Sequence, residues 1–327
     1  MSTPTPDVPE DFSVNGKYYV HFEKELGNGA FGVTFLAVLT YPSRVQKRVA
    51  IKYTFPNKAS SKGIIPEKES FNNILAIGSG GCVPNIICYH EYLILSATSY
   101  PEIYQKLINY FSAFEVPEAE PIAMIITDFY DGDDLSKVLD DPTGITRDQL
   151  QNFVSQMLTA LTILHKNGVA HRDIKPENIM CNADRTQFYL IDFGLACSSD
   201  ICDLAGTIDY MPNSSIIAGA RQIKGPTPMS NGAPKRAVVS KSLAMIADVF
   251  ALGVTIYNLL VPLDADGYRS FPWSDRNDAN LYRTTDYVPV VTPSVRFNQF
   301  LTSLIFDYDL GSEYHRERWF DRYYGKI

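Results

Sequence analysis

The sequence predicts an α+β protein: a small antiparallel β lobe with one main helix, followed by a larger, mainly helical lobe. Three observations carry this. Between Tyr18 and Thr127 the apolar residues come in short β-rich runs, interrupted by glycine and proline turns. From Leu135 onward they recur at helical spacing, most clearly over Arg147–Lys166 and Ala244–Leu260. Between those two helices lie two short loops dense in charged and amide side chains, His171–Asn178 and Asp192–Gly194.

Taken in order, residues 1–11 hold three prolines and few apolar groups, so residues 1–17 are expected as a flexible tail ahead of the first lobe. Tyr18–Lys24 and Thr34–Leu39 flank a glycine-rich turn and read as a hairpin. Gln46–Phe55 is the next strand, and its apolar run Val49-Ala50-Ile51 ends in Lys52. Glu67–Ile77 places Phe71, Ile74, Leu75 and Ile77 at helical spacing. Tyr92–Leu95 and Ile122–Thr127 are further strands. The connection between them, about residues 96–121, is long enough to be an insertion with its own helix over Ile103–Phe114. The first lobe is expected to end at residue 130, and residues 131–327 form the second. There Leu135–Leu139 is a short helix, while Arg147–Lys166 is a long one, capped by Thr146 and stopped by Gly168. Short strands follow at Ile179–Met180 and Phe188–Ile191. Residues 218–242 are rich in Gly, Pro, Ser and basic residues and read as a surface loop, within an insertion over about 214–243. A last helix is expected over Asn298–Asp307.

A chain of 327 residues, 45% hydrophobic and 20% charged, is ordinary globular composition. Its net charge of −8 argues against a nucleic-acid binder or a binder of acidic membranes, which carry a basic face. The five cysteines (Cys82, Cys88, Cys181, Cys197 and Cys202) include no C-x-x-C pair and read as free thiols of a reducing compartment. Met1–Glu10 has no apolar core of a signal peptide. The most apolar run, Ile246–Leu263, is interrupted by Asp248, so no uninterrupted apolar run reaches the roughly 18 residues a bilayer needs. An intracellular, cytoplasmic protein is expected, with no membrane partner.

Gly27-Asn28-Gly29-Ala30-Phe31-Gly32 fits G-x-G-x-x-G. These glycines lie between two strands with no helix following, so no helix N-terminus is at hand for a pyrophosphate. A glycine hairpin can instead lay backbone N–H groups over phosphates, although alone it is equally a plain hairpin. Lys52 alone would read as an edge lysine. His171-Arg172-Asp173-Ile174-Lys175-Pro176-Glu177-Asn178 and Asp192-Phe193-Gly194 add a candidate base, a cation and two hard oxygen ligands on neighbouring loops. That is the equipment of phosphoryl transfer from a nucleotide.

In order and spacing, these four motifs resemble the eukaryotic-type protein kinases, over about residues 18–310 and most weakly in the last third. The resemblance implies a two-lobed kinase-like fold with ATP bound between the lobes. Lys52 would hold the α- and β-phosphates, paired with Glu67 of the following helix in preference to Glu69. Leu26 and the loop Gly27, Asn28, Gly29, Ala30, Phe31 and Gly32 would roof the nucleotide. Thr34 stands where the family usually has valine, Ala50 and Met180 would sandwich the adenine, and Thr127 is the gatekeeper. Asp128 to Tyr130 would form the hinge, and Asp134 would reach the ribose or a basic substrate side chain.

Asp173 resembles the catalytic aspartate that orients the substrate hydroxyl and accepts its proton. Lys175 resembles the lysine of the serine/threonine subclass that neutralises the transferred phosphate. Asn178 and Asp192 would hold magnesium, with manganese as an alternative. The implied partners are ATP and proteins with Ser/Thr acceptors, with basic residues ahead of the acceptor read by Glu177 and Asp134. The pattern departs at Met211-Pro212-Asn213, which stands in place of Ala-Pro-Glu, and in the short activation segment Leu195–Tyr210. Thr207 is placed to bond Asp173 and Lys175, and Asp248 to tie the large lobe to the catalytic loop. Ser198 and Ser199 are phosphate acceptors near Arg172, and Asp200 and Asp203 could supply that charge permanently. Two alternatives stay open: a catalytically silent kinase-like scaffold, and a small-molecule kinase on a related fold.

Overall fold

Alternation along the strands decides which residues of the first unit face its core and which stay free for a site. The computed structural model describes residues 8–29, 32–54, 64–111, 121–141, 144–211, 221–222, 237–261, 271, 301 and 304. The chain has a two-lobed α+β fold. One unit comprises Met1–Val83 with Ile87–Tyr130, and the other Pro84–Ile86 with Asp131–Ile327.

The first unit holds β1 (Phe12–Val14), β2 (Tyr18–Gly29), β3 (Gly32–Thr40), β4 (Gln46–Thr54), α1 (Ile64–Ile77), β5 (Tyr89–Leu95), α2 (Pro101–Phe111) and β6 (Ile122–Asp128). Its sheet runs β1-β2-β3-β4-β6-β5, antiparallel throughout. Since successive strand side chains point to opposite faces, Phe35, Val49, Ile51, Tyr53, Met124 and Ile126 share one face. They bury against Ile103, Leu107, Tyr110 and Phe111 of α2. Phe35 is central, with ring centroids 5.6 Å from Phe22, 6.1 Å from Tyr53 and 5.7 Å from Tyr110. Such edge-to-face pairs each add about 0.5–1.5 kcal/mol beyond their buried area.

The opposite face receives the other parity. Thr34 pairs with Lys52, Lys52 with Ile125, and Ala50 with Thr127, and directly paired residues lie on one face. Tyr92 also pairs with Ile125. It receives α1, whose Phe71 ring sits 5.5 Å from both Tyr89 and Tyr92. The sheet is thus sandwiched, with the insertion helix on one face and α1 on the face of Lys52. Gly32 answers a close approach, because a Cβ there would lie 1.9 Å from the Tyr53 carbonyl oxygen.

The second unit holds β7 (Gly132–Asp134), α3 (Leu135–Asp140), α4 (Arg147–Lys166), β8 (Ile179–Asn182), β9 (Phe188–Leu190), β10 (Ile201–Asp203), β11 (Arg221–Gln222), β12 (Ala237–Ser240) and α5 (Lys241–Leu260). Two small sheets run β7-β8-β9 and β10-β12-β11. α4 begins in a full capping box: the Thr146 hydroxyl accepts from Gln149 N at 3.2 Å, and Thr146 N donates to Gln149 Oε1 at 2.9 Å. Its stripe of Phe153, Val154, Met157, Leu158, Leu161 and Leu164 is buried, with Phe153 edge-on to Phe188 at 5.2 Å. Pro84–Ile86 joins this unit through Asn85, which donates to Gln156 Oε1 at 2.8 Å.

Four expectations need correction. The N-terminal segment is not all tail, because β1 pairs with β2 and buries Phe12 and Val14. Lys106 of α2 holds the same segment, donating to the Asp11 carbonyl at 2.9 Å and pairing with Glu10 at 3.3 Å. The cysteines are not all free. Cys82 bonds Cys88 and Cys197 bonds Cys202, leaving Cys181 as the free thiol. Short turns bring each pair to Cα separations of 4.9 and 6.1 Å, within bridging range without any C-x-x-C spacing. The thiol argument for a reducing compartment therefore falls away. The loop expected over residues 218–242 contains β11 and β12, and α5 starts at Lys241, capped by the Ser240 hydroxyl. Finally, α5 does have the length and composition of a membrane span, yet most of it is buried within the unit. Of the helix expected over Asn298–Asp307, only Leu301 and Leu304 lie among the described residues, and both are helical.

Candidate active site

The loop His171–Asn178 is built on a buried carboxylate. Asp248 sits in the apolar helix α5, 1% exposed, where an unpaired charge would be costly. It is fully engaged: Oδ2 accepts from His171 N at 2.8 Å and lies 3.0 Å from His165 Nε2, while Oδ1 accepts from Arg172 N at 2.6 Å. Arg172 has a φ of 69°, a left-handed backbone that a non-glycine residue adopts at a cost of roughly 1 kcal/mol. Asp248 grips the two successive peptide N–H groups that lead into that turn and so holds it. His165, in the last turn of α4, is a positioning residue that sequence reasoning missed. The available signal was a histidine in a helix turn just ahead of the loop.

The turn delivers Asp173 into a ring of donors. Its Oδ1 accepts from Thr207 N at 3.1 Å and from the Thr207 hydroxyl at 2.7 Å. Its Oδ2 accepts from Asn178 Nδ2 at 2.8 Å and lies 3.1 Å from Lys175 Nζ. Lys175 Nζ donates also to the Thr207 hydroxyl at 2.9 Å, closing a three-residue ring. Thr207 arrives on a glycine: Gly206 has a φ of 135°, and a Cβ there would lie 2.5 Å from the Arg172 carbonyl oxygen.

Asp192 is brought beside Asn178 by the backbone, since Ile191 N donates to the Asn178 carbonyl at 2.9 Å. The His171 ring fixes the same stretch, with Nε2 2.9 Å from the Ile191 carbonyl oxygen and its plane edge-on to Phe193 at 4.7 Å. Asp192 is itself left-handed at φ 56°, with Oδ1 accepting from Gly194 N at 3.2 Å. Asn178 spends its amide N–H₂ on Asp173, donating to both its carbonyl and its carboxylate at 2.8 Å. The oxygens that could hold a cation here are the Asn178 amide oxygen and those of the Asp192 carboxylate. An amide oxygen just ahead of β8 and a carboxylate just past β9 form a hard, all-oxygen donor set, which fits a magnesium-like cation.

Arg172 continues the scaffold. Its guanidinium donates to the carbonyl oxygens of Leu195 and Asp203, one on each side of the Cys197–Cys202 loop. Burial lowers its pKa, while Asp248 and Asp203 act to raise it. Main-chain carbonyls thus fill positions expected for a phosphate or acidic side chain. Asp200 is instead 3.1 Å from Lys241 Nζ.

In the first unit, Thr34, Ala50, Lys52 and Thr127 lie on one sheet face, with the Thr127 hydroxyl 3.4 Å from the Ala50 carbonyl oxygen. Gly27, Asn28 and Gly29 pair with Thr34, Val33 and Gly32, and Leu26 is 40% exposed. Ala30 and Phe31 lie outside the described residues. So does the Glu67 side chain, although Glu67 belongs to α1 and Glu69 is exposed. Asp128 Oδ1 is 2.8 Å from Lys47 Nζ and 2.7 Å from His90 Nε2. Burial raises its pKa, but those two partners outweigh it and hold the carboxyl below the usual range. Within the second unit, Asp134 pairs with Met180 in the sheet and caps α3, accepting from Ser136 N at 3.0 Å.

Residues 20–286 match the protein kinase domain family. Serine/threonine-protein kinase D of Synechocystis is 29% identical over 234 residues, 71% of this chain and 39% of that protein. Mitogen-activated protein kinase 15 of Caenorhabditis elegans is 26% identical over 262 residues, 79% of this chain and 46% of that protein. The chloroplastic serine/threonine-protein kinase STN7 of Arabidopsis thaliana is 31% identical over 160 residues, 45% of this chain and 26% of that protein. The chain spans less than half the length of each of these relatives. With the family match covering most of its length and the loop of Asp173 and Asn178 held by Asp248, this chain belongs to the protein kinase family.

Proposed function

We propose that the protein is a serine/threonine kinase that transfers the γ-phosphoryl group of magnesium-bound ATP to Ser/Thr hydroxyls of protein substrates. The observation that carries this reading is the closed ring of Asp173, Lys175 and Thr207, with Asn178 donating to Asp173 from outside it. Phosphoryl transfer needs little covalent help from a protein, so positioning and charge stabilisation supply most of the rate. Asp173 has four donors around one carboxylate, which fixes both its oxygens. A substrate hydroxyl enters by displacing one donor, is oriented by the freed oxygen, and yields its proton there as its bond to the γ-phosphorus forms and the bond to the ADP oxygen breaks, releasing ADP. Lys175, bridging Asp173 and Thr207, is placed to turn its ammonium toward the transferred group. Asn178 and Asp192 would hold the cation through their oxygens. When bound, it neutralises charge on the phosphates.

Thr207→Val keeps the backbone N–H bond to Asp173 and removes the hydroxyl bonds to Asp173 and Lys175. It is expected to lower kcat by roughly tenfold with the fold intact, as steady-state kinetics would read. Chelation of divalent cations should abolish transfer, and added magnesium, or manganese in its place, should restore it. Transfer that persists in excess chelator would contradict the roles given to Asn178 and Asp192. The exposed Glu177 supports a preference for Arg or Lys ahead of the acceptor, joined by Asp134, whose cap on α3 is made through Oδ1. A peptide array should show that preference, and a flat profile would remove it.

A further inference from the structure

We propose that Cys197 and Cys202 form a redox modification site, at which thiol–disulfide exchange with a dithiol sets the geometry of the segment following Gly194. Only its activity readout rests on the kinase reading. The two sulfurs are bonded at a sequence separation of 5. What the bond joins gives it reach. Cys197 exchanges two 2.9 Å backbone hydrogen bonds with Ala170, the residue just before His171. Cys202 lies in β10 and pairs with Val239 of β12. The two carbonyls that receive the Arg172 guanidinium, of Leu195 and Asp203, lie just outside the two cysteines. Lys241 pins the loop tip, donating from Nζ to the Ser198 carbonyl at 3.2 Å and from its backbone N to the Asp200 carbonyl at 3.0 Å. The disulfide therefore fixes the spacing of the two carbonyls that hold Arg172, whose backbone leads directly into Asp173.

The two sulfurs are unequal in access. Cys202 is 1% exposed, packed with Ala170, Val239, Ala244 and Met245, while Cys197 is only partly buried at the rim of that cluster. An incoming thiolate reaches the Cys197 sulfur. A bond forms there, the Cys197–Cys202 bond breaks, and Cys202 leaves as a thiolate that takes up a proton. The second thiolate of the same dithiol then attacks the mixed disulfide, releasing Cys197 and leaving the reductant as its own disulfide. Two electrons and two protons pass from the dithiol to the cysteine pair, and a disulfide oxidant reverses the exchange. The bridged form is the one that holds Arg172, so reduction should lower activity.

The test uses the full chain titrated with dithiothreitol. Bridged peptides are mapped after alkylation, amide hydrogen exchange is followed over residues 195–207, and phosphoryl transfer is measured. Opening of the Cys197–Cys202 bond should speed exchange in that stretch and lower the rate roughly fivefold to tenfold, an effect set by loop closure. Reoxidation should reverse both. The response should persist in a Cys82→Ser/Cys88→Ser protein and vanish in a Cys197→Ser/Cys202→Ser protein. Recovery of Cys197 and Cys202 as separate free thiols from the oxidised chain would overturn the proposal. So would unchanged exchange on reduction, or an unchanged rate in an active protein. A chain without any transfer would defeat the kinase reading instead, and the exchange measurement would still decide the redox site.

Discussion

Asp173→Asn is expected to lower kcat by about 10³-fold or more, with the KM for ATP changed by no more than about threefold. The amide retains the shape of the side chain but offers one acceptor oxygen where the carboxylate offers two. Four donors from Asn178, Lys175 and Thr207 now meet that single oxygen and an N–H₂ group. The ring must rearrange, and the group that would take the substrate proton is gone. Single-turnover and steady-state kinetics separate the two effects, since only the chemical step should fall. A variant retaining more than about a tenth of wild-type kcat would mean that Asp173 is structural and that the proton leaves by another route.

Asp248→Ala should produce the largest loss of stability, about 3–5 kcal/mol, seen as a fall of roughly 10 °C or more in Tm. The argument is one of orphaned partners. The N–H groups of His171 and Arg172 and the ring of His165 all end on this buried carboxylate. Removing it leaves these donors buried and unmatched, and frees the left-handed turn at Arg172 to relax. Activity should fall with stability, because that turn aims Asp173. Asp248→Asn keeps one acceptor and should lose about half as much. Thermal unfolding with kinetics at a temperature where all three proteins are folded separates the two consequences.

Asp248 was legible in the sequence, because a carboxylate in an apolar helix needs partners and the resemblance to the protein kinases ties that position to the catalytic loop. His165 was not, since its partner is 83 residues away and a histidine ending a helix has many uses. The strand carrying Lys52 was equally plain, because period-two alternation puts Val49 and Ile51 on one face and Lys52 on the other. β1 escaped notice because it is only three residues long and follows a proline-rich stretch. Its alternation of buried Phe12, exposed Ser13 and buried Val14 shows only once β2 lies beside it. The disulfides were missed for a related reason: turns, not spacing motifs, bring each pair within reach. Asn178 and Asp192 could be named as candidate ligands from the resemblance, but their adjacency is set by the pairing of β8 with β9, where Ile179 faces Leu190, and by the hydrogen bond from Ile191 N to the Asn178 carbonyl.

The central claim is that the ring around Asp173 transfers phosphoryl groups to serine and threonine hydroxyls. Its most direct test incubates the purified chain with γ-labelled ATP, magnesium and mixed protein substrates, and then identifies the labelled amino acids after acid hydrolysis. The account predicts label on phosphoserine and phosphothreonine, absent with the Asp173→Asn protein. Label on phosphotyrosine alone, label undiminished in Asp173→Asn, or no transfer by the wild-type chain would contradict it.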